Sequence, residues 1–140
     1  MLQLTQFTGT KTIKACPMSL KEAEEILRRT IDTSAVEEDR EKVEGYLVEY
    51  EDGYRSWSPK EAFEKAYRVS ETYFDRMLIE HEDCRARYQR LSDFMCTKEY
   101  RQLADEEKDR LGKQLKLMHE LLIILGYRID FAEKQAELSN

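Results

Sequence analysis

Proline and glycine are scarce in this chain, two and five residues of 140, so few positions interrupt helix propagation. With 37% charged residues to populate exposed helix faces, the expected fold is α+β and mostly α. Cysteine is scarce as well. Cys16, Cys84 and Cys96 are odd in number and form no C-x-x-C pair, which argues against a secreted disulfide framework and predicts reduced thiols. No apolar run approaches the roughly 18 residues needed to span a bilayer, and "MLQLTQFTGTKTIKAC" lacks a basic region followed by an apolar one. A soluble, cytoplasmic protein without a membrane partner is expected. Gly-rich phosphate loops, H-E-x-x-H and nucleophile elbows are missing too, so neither an enzyme nor a resident cofactor is expected.

What the chain does have is uneven charge. The net charge of −6 argues against nucleic-acid binding. Residues 84–116 nevertheless carry nine Lys/Arg against six acids, a net of +3. Any anionic ligand is to be sought there.

Two kinds of pattern divide the chain into a small α+β module over 1–69 and a long helical hairpin over 70–140, within one compact domain. In the first part "TKTIKAC" reads as a short strand. Ser19 and Glu22 have capping-box spacing ahead of a helix from about Leu20 to Arg29. Val36 to Glu44 has no apolar period and reads as a loop. "GYLVEY" and "YRSW" flank Asp52-Gly53, a pair suited to the left-handed backbone of a tight hairpin turn. Ser58-Pro59-Lys60-Glu61 repeats the capping-box spacing with proline at the first helical position. The aromatics Tyr46, Tyr50, Tyr54, Trp57, Phe63 and Tyr67 fit a sheet covered by short helices, since large rings supply most of the burial a small module can reach.

From Glu71 onward Phe74, Met77, His81, Cys84, Tyr88, Leu91 and Met95 recur at spacings of three and four, the seam of a helix of about 26 residues. "CTKEYRQLADEE" breaks the period. Leu111, Leu115, Met118, Leu122, Leu125, Ile129, Ala132 and Ala136 then form a second seam, which predicts an antiparallel hairpin. Leu117, Leu121, Ile124 and Phe131 form a further stripe beside that seam. A helix apolar on more than one face needs more than one neighbour, so a homo-oligomer is expected.

His81 and Cys84 lie one turn apart, but two ligands on one helix without a partnering cluster do not make a metal site, and a seam position suits His81 better. In the predicted hairpin Arg76 and Glu80 face the region of Arg128, and Phe94 and Tyr100 lie at the tip. An ion pair of Arg128 with Glu80, and a hydrophobic plug at Phe94, stand as alternatives to ligand roles.

The segments "GTKTIKACPM", "EGYLVEYEDGYRSWSPKEAFEKAYR", "FDRMLIEHEDCRARYQRLSDFM" and "LGKQLKLMHELLIILGYRI" together resemble the phage Thoeris anti-defense protein one family, whose helical hairpin is shared with the second phage anti-CBASS protein. The hairpin pattern is met by Arg76-Met77, Glu80, Arg90-Leu91, Phe94-Met95, Leu111, Gln114, Met118 and Arg128-Ile129. It is departed from at Leu121, where an aromatic is expected. The resemblance implies a sponge that binds glycocyclic ADP-ribose, and in some members cyclic di- or trinucleotides, hides it from its effector without cleaving it, and forms dimers or hexamers. A phosphate then needs cations, for which Arg87, Arg90, Arg110 and Lys113 are the local candidates. An adenine needs a flat ring, which Phe94 or Tyr100 supplies. Arg76 and Arg128 complete the expected site, from a second protomer. Tyr54, Arg55 and Trp57 stand open between scaffold and pocket lining. The alternative reading is a non-enzymatic oligomeric adaptor that docks another protein on its hydrophobic second helix.

Overall fold

The computed structural model describes residues 1–32 and 39–139. It divides into two compact units, Met1–Arg68 and Val69–Asn140.

The first unit is a three-stranded antiparallel sheet with two helices. Strand β1 (Lys14–Ser19) pairs with β2 (Glu44–Glu49), which pairs with β3 (Arg55–Pro59) in the order β1-β2-β3. The strand expected over 10–16 therefore sits later in the chain. It runs through Pro17, which an edge strand tolerates because one side of the strand needs no amide for pairing. Ser19 ends β1 and caps α1 (Leu20–Leu27): its Oγ accepts from the Glu22 amide at 3.2 Å, and Glu22 accepts from the Ser19 amide at 2.8 Å. The helix is shorter than expected, closing at Arg28 in the left-handed region (φ 55°). Of the loop expected over 36–44, residues 36–38 lie outside the described residues, 39–43 are irregular, and Glu44 already belongs to β2.

The hairpin turn is wider than a two-residue one. The Tyr50 amide donates to the Tyr54 carbonyl and the Gly53 amide to the Tyr50 carbonyl, both at 2.9 Å, so 51–53 form a three-residue loop. Only Gly53 takes positive φ (87°), while the Asp52 carboxylate accepts from the Tyr54 amide at 3.0 Å.

The second capping box is not made. Residues 58 and 59 remain in β3, α2 (Lys60–Ala66) starts at Lys60, and Pro59 precedes it without a side-chain cap. Pairing of Tyr46 with Ser58 and of Gly45 with Pro59 holds both residues in the sheet. Successive strand residues face opposite sides. Leu47 and Trp57 go to the side of α1, in a core with Leu20 and Ala23, which are fully buried. On the other side Tyr46 stacks on Phe63 of α2 at 4.0 Å. Gly45 is required: a Cβ there would lie 2.3 Å from the Ser58 carbonyl oxygen and 2.4 Å from the Trp57 indole.

The second unit is the helical hairpin. Thr72 and Asp75 form a reciprocal capping box for α3 (Tyr73–Phe94), which at 22 residues is shorter than the periodicity predicts. Phe94 ends it because the chain turns: the Thr97 hydroxyl donates to the Phe94 carbonyl at 2.6 Å and accepts from the Tyr100 amide, capping α4 (Lys98–Arg101). Helix α5 (Asp105–Leu138) has 34 residues, about 51 Å at 1.5 Å each. Its first turn carries Asp105, Glu106 and Glu107, which suits the positive end of the helix dipole.

The two long helices pack antiparallel through the predicted seams. Met77 of α3 shares a buried cluster with Leu125 and Ile129 of α5, flanked by Phe74 and Ala132. Further toward the tip the Cys84 thiol donates to the Met118 carbonyl and Tyr88 lies 5.9 Å from His119. Ala136, expected in the seam, is exposed. In that register it lies past the first residue of α3. No helix among the described residues is long and apolar enough to cross a membrane.

Candidate functional site

Because α5 buries only its seam against α3, a second face of the same helix remains exposed. On it Arg110, Gln114, Leu117, Leu121, Ile124, Arg128 and Phe131 follow one another at spacings of four and three, and all seven are exposed. This is a coiled-coil stripe with an apolar middle and an arginine toward each end. The sequence reading found its leucines, isoleucine and phenylalanine. It missed that the same spacing, continued toward the N-terminus, takes in Gln114 and Arg110, and that Arg128 stands in the stripe between Ile124 and Phe131.

At one end of the stripe the surface is concave. Arg110, Lys113, Gln114, Leu117, Met118 and Leu121 line a depression of about 380 Å³. Two of the expected cations are thus brought together over an apolar floor. Each holds an acid of the preceding turn: Arg110 Nε bonds Glu107 at 3.0 Å and Lys113 Nζ bonds Asp109 at 3.0 Å. These pairs are solvent-exposed and worth at most about 1 kcal/mol, so both cations are released from them at little cost. The amide of Gln114 adds both donors and an acceptor.

The remaining candidates divide into two places. At the tip Phe94 and Tyr100 meet edge-on, with centroids 6.1 Å apart and planes at 83°. Lys108 Nζ stands 5.9 Å from the Tyr100 ring, a cation the sequence reading did not single out. At the open end Arg76 donates to the carbonyls of Ser70 and Glu71 at 3.2 and 3.4 Å, which fastens it to the chain entering α3. Its neighbour Asp75 has its carboxyl held below the usual range, first by the Thr72 amide hydrogen bond. Arg128 is exposed, and the pair with Glu80 weighed as the alternative to a ligand role is not among the ion pairs of the described residues. Arg87 and Arg90 are exposed on α3 and do not line the depression.

Cys84 is buried in the seam, bonded to Met118, and no group of three His, Cys, Asp or Glu among the described residues could hold an ion. Trp57, left open as pocket lining, is 8% exposed, and its indole N–H donates to the Met18 carbonyl, so it belongs to the core. Arg55 is tied to Glu49 at 2.9 Å.

Residues 71–131 match the family model described as Sequestin. The match lies within the helical hairpin. The Sequestin segment contains all eight candidate residues and the whole depression, and the family's name denotes sequestration. No curated protein and no solved structure matches the chain.

Proposed function

We propose that the protein is a sponge for a cyclic, adenine-containing nucleotide messenger of bacterial immunity. It binds glycocyclic ADP-ribose, or a cyclic di- or trinucleotide, and withholds it from the effector without cleaving it. Thoeris defence, and CBASS where the ligand is a cyclic oligonucleotide, is thereby silenced in the host cytoplasm during phage infection. The observation that carries this reading is the depression within the Sequestin segment, where Arg110 and Lys113 stand over Leu117, Met118 and Leu121. Phosphate oxygens take the two cations, the apolar floor takes a base or ribose face, and Gln114 supplies hydrogen bonds.

The site is shared between protomers. Within one hairpin the tip and Arg128 are about 40 Å apart, since roughly 27 residues of helix separate them. Two α5 helices pairing antiparallel through the exposed stripe, centred on Leu121, bring Arg128 of one opposite Gln114 of the other. The hairpin register sets Phe94 close to the level of Arg110, so each depression gains the partner's Arg128 and lies near its own Phe94. The partner's Arg76 arrives at the same level, completing the cation set, and hexamers assemble from such dimers.

The deciding experiment is titration calorimetry with glycocyclic ADP-ribose and cyclic oligonucleotides, followed by denaturation and recovery of the ligand. Intact ligand at the stoichiometry bound supports sequestration, and a cleaved product excludes it. Mixing Arg110→Ala with Arg128→Ala chains should regain binding, because co-assembled dimers hold one intact site. No regain would exclude the shared site. The exposed row of Ile124, Tyr127 and Phe131 also favours a second reading, an adaptor that docks another protein. That reading requires no ligand stabilisation, whereas a ligand at 100 times its Kd adds about 2.7 kcal/mol to a sponge.

A further inference from the structure

A second depression, of about 490 Å³, belongs wholly to the N-terminal unit and lies outside the Sequestin segment. The rings of Tyr50 and Tyr54 stand on it with centroids 6.0 Å apart and planes within 20°. The turn presets both: the Tyr50 amide donates to the Tyr54 carbonyl, and the Tyr54 amide donates to Asp52. Tyr54 is further fixed by Arg29, which sits 5.6 Å from its ring and donates to the Arg55 carbonyl at 2.9 Å. Glu51 and Asp52 supply two carboxylates to the lining against the single ammonium of Lys11. Lys11 has its Nζ 5.2 Å from the Tyr50 centroid, so the molecule already places a cation in this aromatic setting.

We propose that this depression binds a small free organic cation of the quaternary ammonium type, and that Lys11 is the chain's own competitor for it. The ring faces carry negative charge and attract a weakly hydrated cation, and the two carboxylates add to that attraction. The same carboxylates repel phosphate, which separates this site in chemistry from the basic depression on α5. Because Lys11 is on an arm without regular structure, it can withdraw and leave rings and carboxylates in place.

The test uses the full chain and choline as the probe, read by saturation-transfer NMR of the choline methyl protons. Lys11→Ala is expected to bind choline about tenfold more tightly than wild type, since no competitor has to leave. Tyr50→Phe with Tyr54→Phe should retain binding because the ring faces persist, and Tyr50→Ala with Tyr54→Ala should lose it. Glu51→Gln, outside the hydrogen bonds of the turn, should weaken it severalfold. The proposal is overturned if Lys11→Ala shows no choline signal, if Glu51→Gln or the double alanine variant binds as tightly as wild type, or if adenosine monophosphate outcompetes choline. Sedimentation with phosphatidylcholine vesicles in place of binding free choline would overturn the free-cation assignment in favour of a lipid headgroup.

Discussion

In the N-terminal unit the large side chains of the sheet are met from within that unit: Leu20 and Ala23 lie against Trp57, and Phe63 stacks on Tyr46. In the hairpin the buried cluster of Met77, Leu125 and Ile129 uses one face of α5, while Leu117 at 64%, Ile124 at 55% and Phe131 at 64% remain exposed on another. Both units draw on the same apolar residue types. The difference lies in geometry. A three-stranded sheet has two faces, and two short helices of the same unit can cover them. A helix packed against a single neighbour buries one face along that neighbour and leaves its other faces uncovered. The uncovered face also carries Arg110 and Arg128, so in the proposed reading one feature of the hairpin would serve both association and binding.

The largest test of this contrast removes one buried leucine from each unit. Leu20→Ala and Leu125→Ala, at positions 0% and 1% exposed, should each cost about 2 to 5 kcal/mol through lost burial and the cavity left behind. Chemical denaturation followed by Trp57 fluorescence reads the first unit, and far-ultraviolet circular dichroism reads the long helices. If Leu125→Ala shifts the hairpin no more than a surface substitution does, the seam is not its core. Gly45→Ala should act comparably, costing about 3 kcal/mol, because its Cβ collides with the Ser58 backbone carbonyl, which strand pairing holds in place, as well as with the Trp57 ring. Its signature is altered tryptophan fluorescence with little loss of helical signal.

A smaller effect on stability, with a large one on mass, is expected from Leu121→Glu with Ile124→Glu. Both side chains are exposed within the chain, so folding should change by only a few tenths of a kcal/mol. Light scattering should show the assembly falling to single chains. A wild-type mass of one chain at micromolar concentration would remove the basis for a shared site.

Periodicity made the hairpin legible, because spacings of three and four report directly which face is buried. Met77, Cys84, Leu125 and Ile129, all read as seam, are buried. Punctuation was less legible. Ser58-Pro59-Lys60-Glu61 has the spacing of a cap, yet strand pairing with β2 claims Ser58 and Pro59, and tertiary pairing outweighs a local signal. Thr72 and Asp75 form the cap that was not foreseen, since aspartate is less common than glutamate in that motif. The basic segment offered Arg110 and Lys113 among four cations, and these two line one depression, but charge counting carries no direction. It did not separate them from Arg87 and Arg90, which stand elsewhere on the hairpin. Trp57 was left open because an aromatic on a short strand faces either side, and only the contact with Gly45 and Met18 decides it.

The smallest expected effect sharpens the comparison most finely, because the two units should weaken at opposite ends of the pH scale. In the hairpin the Asp75 carboxyl is held below its ordinary value, first by the Thr72 amide and then by the Thr72 hydroxyl, with burial opposing. Its contribution is present above the unfolded carboxylate pKa of about 4 and is lost as pH falls through the lower folded value. In the N-terminal unit the shifted groups all move the other way. Lys21 is raised by its hydrogen bond and charge interaction with Glu41, and Lys60 by those with Glu44. Tyr46 is raised by donating its hydroxyl to Glu64 at 2.9 Å. Those contributions are complete below about pH 10 and are lost as pH rises through the folded values. Lys21 and Lys60 are solvent-exposed and Asp75 and Tyr46 only half-buried, so the effects are small and shrink with added salt. Denaturation midpoints at low ionic strength should therefore fall below pH 4 for the helical signal and above pH 10 for the tryptophan signal. Asp75→Ala should flatten the acid limb without altering the alkaline one, and Tyr46→Phe should reduce only the alkaline limb. If Asp75→Ala leaves the acid limb unchanged, the helix cap at Thr72 contributes nothing that titrates, and the contrast between the units rests on burial alone.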